Sequence, residues 1–384
     1  MRSFAFQTVP QIVLEYGAAR RLSDILGTRF SPSRVCLVTD RFLHESGLLG
    51  PMLDSLRATG WQVLVVDDVV ADPPEDVVMD AARRAAEHGT QVVLGVGGGS
   101  SMDVAKLIAA LLASPQPLTE MYGIGNITGH RLPLIQVPTT AGTGSEMTNI
   151  SIVTTGATTK SGVVAPQLYA DLAVLDAELT LGLPRAITAA TGIDAMVHAI
   201  EAYTSAHKKN PLSDALARQA LGLLSTHLLR ACDDGQDRDA REAMLLGAML
   251  AGQAFSNAPV AAVHALAYPL GGRFHVPHGL SNVLVLPHVL RFNMPAAASA
   301  YAELAGIVAP DVQGSQEERA DVLVRWSEGL AAKCGIATRL RDVGVAETDL
   351  DMLTDDAMLQ TRLLMNNPRP VEREDARAMY AAAL

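Results

Sequence analysis

The chain has 384 residues, of which 49% are hydrophobic and 18% charged, and this length predicts two domains with large apolar cores. Its formal net charge is −11, and acids and bases are mixed without a basic run, which argues against a nucleic-acid partner. The longest apolar stretches, such as residues 107–113, are much too short to span a bilayer, so no membrane partner is expected.

The cysteines and the N-terminus bear on the compartment. Cys36, Cys232 and Cys334 are widely spaced and form no CxxC pair, so neither a disulfide framework nor a thiolate zinc site is predicted. Residues 1–17 lack the charged start, apolar core and cleavage site of a signal peptide. We therefore expect a cytoplasmic protein, because thiols stay reduced there.

The first half of the chain alternates between strand and helix patterns. Strands rich in Val and Leu, separated by helices, indicate a parallel sheet covered on both faces. The predicted strands are 12–15, 34–39, 61–66, 91–96, 133–137, two weaker ones at 150–154 and 162–165, and a last one at 172–175. The predicted helices between them are 48–59, 77–88 and 102–113.

The segment GVGGGSSMDVAK, from Gly95 to Lys106, follows a strand and opens a helix. Consecutive glycines let a backbone approach a ligand closely, and their N–H groups with a helix N-terminus form a site suited to a pyrophosphate. A tight strand–turn–helix connection without a ligand is the alternative. The candidate residues are Gly97, Gly98, Gly99, Ser100 and Asp103.

Two further residues and one segment fit a bound dinucleotide. Asp40 ends a strand, where a carboxylate can accept hydrogen bonds from a ribose and repel a 2′-phosphate, favouring NAD over NADP; a helix cap is the alternative. Pro138–Glu146 (PTTAGTGSE) is rich in hydroxyls, including Thr139 and Thr140, that can line a dinucleotide. Lys160 could reach a ribose or phosphate, although an exposed lysine is the commoner meaning.

After the turn-rich segment 180–184 the apolar spacing becomes helical. We therefore predict an α/β dinucleotide-binding domain over residues 1–181 and an all-helical, metal-binding domain over residues 182–384. The predicted helices are 186–204, 214–231, 239–255, 260–270, 296–308 and 317–334.

The helical half carries a candidate metal site. Asp194 and His198 lie four residues apart in TGIDAMVHAIEAY, so a helix projects both from one face. His264 lies in an otherwise apolar helical stretch, and His278 in a predicted loop between Pro277 and Gly279. One carboxylate and three imidazoles form a ligand set for a divalent transition metal with a position open for substrate.

Taken together, the motifs resemble the iron-containing (group III, metal-dependent) alcohol dehydrogenase family over nearly the full length. They are GGGSSMDVAK, PTTAGTGSE, TAATGIDAMVHAIEAY, HALAYPLGG, VPHGLSNVLVLPHVLRFN and the NNPRP tail. The resemblance implies a Rossmann-like N-terminal domain and a helical C-terminal domain in a dehydroquinate synthase-like architecture, with the active site in a cleft, and a homodimer. It implies Asp194, His198, His264 and His278 as metal ligands. The cofactor-lining residues it implies are Asp40, Gly98, Gly99, Ser100, Asp103, Thr139, Thr140, Lys160 and Leu179.

The implied activity is reversible, NAD-linked hydride transfer between a small alcohol and a carbonyl compound bound to a divalent metal. Family resemblance favours Fe²⁺, whereas the order in which divalent metals bind to such ligands favours Zn²⁺. Two rival functions are a hydroxyacid–oxoacid transhydrogenase or hydroxy-acid dehydrogenase, and a lyase or synthase on the same scaffold. The substrate itself is not readable from these residues.

One position departs from the family pattern. Many members carry a second histidine four residues after the first ligand of the HALA segment, where this chain has Tyr268. A phenol has an ordinary pKa of roughly 10, against about 6.5 for imidazole, but it can still relay or donate a proton when it is hydrogen-bonded. Tyr268 is the candidate catalytic residue, packing in the site wall is its alternative role, and His275 is a less supported relay.

Overall fold

The computed structural model describes residues 3–156 and 159–384, which form two compact units. The α/β unit comprises residues 8–140 and 144–182. The helical unit comprises residues 183–384 together with residues 3–7 and 141–143. The chain passes for the last time from one unit to the other between residues 182 and 183.

Two sheets organise the α/β unit. Its strands are β1 (Ile12–Leu14), β2 (Arg34–Val38), β3 (Gln62–Val66), β4 (Val92–Gly97), β5 (Gly123–Ile124), β6 (Leu134–Pro138), β7 (Ile150–Thr155), β8 (Thr159–Val164) and β9 (Leu172–Leu175). The main sheet has the order β1-β9-β6-β4-β2-β3, and all its pairings are parallel. A smaller sheet has the order β5-β8-β7, in which β7 and β8 are antiparallel. The parallel sheet predicted from the Val- and Leu-rich runs is confirmed.

Helices connect these strands, as parallel pairing requires. They are α1 (Leu22–Gly27), α2 (Arg41–Glu45), α3 (Gly50–Ala58), α4 (Glu75–His88), α5 (Gly99–Leu111) and α6 (Leu118–Met121). Short 3₁₀ helices lie at Ala18–Arg21, Ser145–Met147, Pro166–Leu168 and Ala177–Thr180. Alternate strand residues form one core face, because side chains two apart point the same way. Examples are Val35 and Leu37, Leu94 and Val96, and Leu172 and Val174.

The helical unit is built around α7. Its helices are α7 (Arg185–Thr204), α8 (Pro211–Asp233), α9 (Arg238–Asn257), α10 (Ala262–Phe274), α11 (His278–Val308), α12 (Gln316–Cys334), α13 (Leu350–Met358), α14 (Thr361–Leu364) and α15 (Arg373–Ala383). Short 3₁₀ helices lie at Leu340–Val343 and Glu347–Asp349. Helix α7 packs against α8, α9 and α11, and most of its length is buried. Its sequence is correspondingly apolar on nearly every face, as expected of an interior helix.

The predicted loop around His278 is wrong, because His278 is the first residue of α11. Pro277 precedes that first residue as the N-cap, where its missing N–H costs no helical hydrogen bond. Helix α11 also continues through Pro287 and Pro295 for 31 residues, whereas the sequence predicts a helix only from residue 296.

Across residues 3–156 and 159–384, each helix is too short or too polar to cross a membrane.

Candidate metal and cofactor sites

Asp194, His198, His264 and His278 converge in the helical unit. One potential ligand atom from each lies within 4.8 Å of all the others. The Nε2 atoms of His198, His264 and His278 lie 3.8, 3.9 and 3.8 Å from Oδ1 of Asp194. Metal bonds of about 2.0–2.2 Å imply separations of roughly 3.5 Å between ligands of one tetrahedral ion. The structure therefore brings the four predicted ligands together, at separations somewhat wider than those of ligands already bound to one ion.

Burial distinguishes the four residues. Asp194, His198 and His264 are at most 4% exposed, whereas the side chain of His278 is 30% exposed. Burial lowers the pKa of His198 to about 4, an effect that Asp194 only partly offsets. Burial alone would raise the pKa of Asp194, but the neighbouring imidazoles and the Asn282 amide outweigh it, so that pKa lies below its ordinary value. The carboxylate is thus charged and His198 neutral at pH 7, the forms that bind metals.

Two polar residues that sequence reasoning missed surround this cluster. Glu201, on α7, lies with Oε2 2.7 Å from Nδ1 of His264. Asn282, on α11, donates from Nδ2 to Oδ1 of Asp194 at 2.6 Å. The same nitrogen is 3.3 and 3.4 Å from Nε2 of His264 and of His278, while the buried Oδ1 of Asn282 has no hydrogen-bond partner. Their positions, three residues after His198 and four after His278, are the signal that could have identified them.

Two residues predicted for proton transfer lie on or just after α10. The ring of Tyr268 is tilted towards that of His278, with centroids 6.0 Å apart, and Tyr268 is 9% exposed. His275 caps the C-terminus of α10 in the left-handed conformation, with φ 55°, and its side chain is exposed. The ring of Tyr268 therefore contacts the four-residue cluster through His278. His275 lies at the end of α10 with its side chain exposed.

The glycine-rich turn joins β4 to α5 in the α/β unit. Gly97 has φ 149°, and a Cβ there would lie 2.7 Å from Oγ of Ser101, so the fold itself requires this glycine. Gly98 caps α5 in an extended conformation that any residue can adopt. A Cβ on Gly98 would meet only the Thr140 side chain, at 3.7 Å. Neither the backbone conformation nor the packing of Gly98 therefore requires glycine, and this residue adjoins the N–H groups of Gly99 and Ser100 at the helix start.

Asp103 lies beside a buried lysine that the sequence did not single out. Its Oδ1 accepts from Oγ of Ser145 at 2.6 Å and from Nζ of Lys106 at 3.3 Å, and its Oδ2 accepts from the Ile152 N–H at 2.9 Å. Lys106 is fully buried, also donates to Ser145 and Thr148, and its pKa is lowered by burial. Asp103 thus links the helix that follows the glycine-rich turn to the PTTAGTGSE segment.

The remaining predicted cofactor residues all have protein partners. Asp40 caps α2 by accepting from the Leu43 N–H at 2.9 Å through Oδ1, and its role towards a ribose stays a prediction. Lys160 is 5% exposed in its side chain and pairs with Asp72 at 2.6 Å. The others are Thr139, bonded through its N–H to Gly97, Thr140 beside Gly98, and Leu179 in the core.

Comparison with known proteins identifies the family. The family description "Iron-containing alcohol dehydrogenase" matches residues 10–177, and "Fe-containing alcohol dehydrogenase family, C-terminal" matches residues 188–384. Long-chain-alcohol dehydrogenase 1 of Geobacillus thermodenitrificans (strain NG80-2) is 41% identical over 362 residues, covering 92% of this chain and 90% of that protein.

Solved structures agree. A 1,3-propanediol oxidoreductase structure matches with a TM-score of 0.96 and 32% identity over 100% of both chains. A sulfoacetaldehyde reductase from Bifidobacterium kashiwanohense in complex with NAD⁺ matches with a TM-score of 0.88 and 28% identity, over 100% of this chain and 99% of that one. These matches confirm the predicted architecture and an oxidoreductase that interconverts alcohols and aldehydes with NAD and a divalent metal ion. The chain belongs to the iron-containing alcohol dehydrogenase family.

Proposed function

We propose that Asp194, His198, His264 and His278 hold one divalent metal ion and that small alcohols are oxidised, or aldehydes reduced, at this site. The observation that carries the proposal is the convergence of the four ligand atoms within 4.8 Å. When bound, the ion supplies Lewis-acid stabilisation of negative charge that develops on the substrate oxygen.

The donor set fits such an ion. A carboxylate and neutral imidazoles suit Fe²⁺ and Zn²⁺, and the lowered pKa of His198, to about 4, removes proton competition above that pH. The unpartnered Oδ1 of Asn282 adds an acceptor next to the cluster. His278 is the partly exposed member, so its side of the cluster offers the approach for a substrate.

Iron is the metal that we assign to this site. The family to which the chain belongs is named for iron, whereas intrinsic affinity would favour Zn²⁺. Metal analysis after anaerobic purification, followed by reconstitution with each ion, separates the two. Full activity with Zn²⁺ alone would contradict the iron assignment.

For the cofactor, we assign the pyrophosphate to the turn formed by Gly97, Gly98, Gly99 and Ser100. Gly98 supports this assignment, because neither its backbone conformation nor its packing requires glycine, while close approach of a ligand would. NAD, when bound, supplies the hydride acceptor or donor. The other residues that we propose line it are Asp40, Asp103, Thr139, Thr140, Lys160 and Leu179.

Proton transfer is the role that we propose for Tyr268. Its ring contacts that of His278 on the exposed side of the cluster, and a phenol can relay a proton when hydrogen-bonded. Small alcohols and aldehydes are the proposed substrates, in line with a 1,3-propanediol dehydrogenase and a lactaldehyde reductase among the relatives.

We further propose that the protein works as a homodimer in the cytoplasm, with a dinucleotide-binding domain over residues 1–181 and a metal-binding domain over residues 182–384. The family resemblance supports the dimer, and the free thiols of the three cysteines support a reducing compartment. Light scattering during size-exclusion chromatography tests the dimer directly.

Replacement of Asp194 by alanine tests the proposed metal site. The variant should lose bound metal and alcohol oxidation, while NAD binding, measured by NADH fluorescence, stays near that of the wild type. Asp214→Ala is a matched control, since Asp214 pairs with Lys209 on the same unit and should leave metal content unchanged. Near-normal metal content in Asp194→Ala would refute the ligand set.

A further inference from the structure

Glu201 is a buried acid on α7 that holds two groups of α10 at once. It is 4% exposed. Its Oε1 accepts from the backbone N–H of Val263 at 2.7 Å, and its Oε2 lies 2.7 Å from Nδ1 of His264. One carboxyl group therefore contacts both the backbone and the ring at the start of α10.

The contact with Val263 acts as a helix cap supplied by another helix. Helix α10 begins at Ala262, and its own N-cap, Ala261, offers no side-chain hydrogen bond. The first N–H groups of a helix lack partners within it, so a buried helix start needs an outside acceptor. Glu201 supplies that acceptor and fixes the position of the backbone from which His264 projects.

The contact with His264 determines which ring nitrogen carries the proton. A carboxylate only accepts hydrogen bonds, so the facing Nδ1 must carry hydrogen. A neutral imidazole has one proton, which leaves the lone pair on Nε2, the atom 3.9 Å from Oδ1 of Asp194. Glu201 thus turns the ligand nitrogen of His264 towards the cluster in the form that can bind a metal.

The burial of Glu201 also favours a cation at the neighbouring cluster. The contact between Glu201 and His264 is buried, since both side chains are at most 5% exposed. A buried carboxylate is costly unless it is compensated by a positive charge. The carboxyl groups of Asp194 and Glu201 both lie at or beside the cluster, and a divalent ion bound there would supply the compensating positive charge.

We propose that Glu201 is a positioning residue for the metal centre, which sets the tautomer and the orientation of His264 without itself binding the ion. This inference rests on the ligand set proposed above. Partners of metal-bound histidines of this kind typically contribute 10–100-fold to metal affinity. Glu201 has the same geometric relation to His264, and its effect should appear in metal binding before any catalytic step.

The test is Glu201→Gln, measured as the Co²⁺ dissociation constant of the metal-free full chain by chelator competition and by the d–d absorption of bound Co²⁺. Glutamine has nearly the same shape, but it offers one acceptor and one donor. If its oxygen accepts the hydrogen bond from the Val263 N–H, its NH₂ group faces Nδ1 of His264. Nδ1 must then be the acceptor, so the proton of the imidazole moves to Nε2. We expect Co²⁺ binding to weaken 10–100-fold, with far-UV circular dichroism unchanged.

Glu303→Gln is the matched control, because Glu303 also accepts a hydrogen bond from α7, from the Tyr203 hydroxyl. This control should bind Co²⁺ as the wild type does. A Co²⁺ dissociation constant of Glu201→Gln within two-fold of the wild type would overturn the proposal. Equal weakening in Glu303→Gln would overturn it as well, because the loss would then not be specific to His264.

A second pair of variants keeps the test decisive if Glu201→Gln folds poorly. Glu201→Asp and Glu201→Asn remove the same methylene and have nearly the same shape, so they differ chiefly in acceptor chemistry. Tighter Co²⁺ binding by the Asp variant supports the tautomer role, and equal binding refutes it. If the four proposed ligands do not bind the metal at all, the result is different: wild type and Asp194→Ala then bind Co²⁺ alike.

Discussion

Tyr268 occupies the position where many family members have histidine, one helical turn after His264 on α10. Its ring lies beside that of His278. Tyr268→Phe removes only the hydroxyl and keeps the ring contact. If the phenol relays the proton, kcat should fall by about 10²–10⁴-fold, the usual contribution of a positioned acid or base. Steady-state kinetics at fixed metal content provide the measurement. Unchanged kcat would assign Tyr268 to packing alone.

Glu146 gives a second prediction at this scale, in the pH dependence of stability. Burial raises the pKa of Glu146 to about 7 from its ordinary 4.5. Between these values the folded chain binds a proton that the unfolded chain releases. Glu146 should therefore contribute a fall in the free energy of unfolding as pH rises from about 4.5 to 7, by up to roughly 1.4 kcal/mol per pH unit. In the metal-free protein His198, whose pKa is lowered to about 4, contributes a rise over much of the same range, so the contribution of Glu146 is read as the difference between wild type and a variant.

Glu146→Gln should remove the contribution of Glu146, because the amide does not titrate. Denaturant unfolding of the metal-free protein at pH 5 and at pH 7.5 measures it. The variant should gain stability relative to wild type at the higher pH. Parallel profiles for the two proteins would mean that burial of Glu146 does not set its protonation.

Site residues were predictable where donor chemistry coincided with helical spacing. Asp194 and His198 are such a pair. In the structure both lie close to His264 and His278. Glu201 and Asn282 were missed because an acid or an amide on a helix usually faces solvent. Both residues contact side chains of a neighbouring helix. The spacing of residues along one helix does not indicate which helices are neighbours.

The close approach of α11 to α7 is the feature that matters at the scale of elements. A Cβ added at Gly279 would lie 2.5 Å from the carbonyl oxygen of Ala190, which is backbone and cannot rotate away. Gly279→Ala should therefore displace the first turn of α11, and His278 with it. We expect a lower unfolding temperature and weaker Co²⁺ binding, although alanine is favoured in helices by about 1 kcal/mol.

Gly329→Ala on α12 is the matched control. A Cβ there meets nothing within 4 Å, so the same substitution should stabilise the protein by up to about 1 kcal/mol. Thermal unfolding and Co²⁺ titration of both variants give the comparison. Retained Co²⁺ affinity in Gly279→Ala would show that α11 tolerates the displacement.

Elements were predicted best where their pattern was long and regular. The apolar strands β2, β4 and β6 and the interior helix α7 follow directly from their residues. The start of α11 did not, because Pro277 and Gly279 are also typical of a loop. Proline suits the residue before a helix, and this glycine is required by the neighbouring backbone of Ala190.

Metal binding should contribute to the stability of the whole molecule. An ion that binds the native state alone stabilises it by about 2.7 kcal/mol at a free concentration 100-fold above its dissociation constant. Chelation should therefore lower the unfolding temperature by several degrees, and added Fe²⁺ or Zn²⁺ should restore it. Differential scanning calorimetry measures this shift. Asp194→Ala should show no response to the chelator, and an equal response would indicate that metal binds elsewhere.

Fold class and reaction class were readable for the whole molecule because several motifs occur in order along the chain. The matches over residues 10–177 and 188–384 cover both units. Substrate identity was not readable, since relatives of similar identity act on substrates as different as sulfoacetaldehyde and 1,3-propanediol. That choice depends on the shape of the substrate site, to which many weakly patterned side chains contribute.

The placement of the four clustered residues has a kinetic consequence for metal exchange. Asp194 and His198 lie in the interior of a buried helix, whereas His278 is the first residue of α11 and is partly exposed. Helix ends fray at a small cost in free energy, far below that of global unfolding. We therefore expect an ion to be captured and released by the opening of a single helical turn, so that a fully folded chain can still be charged with metal.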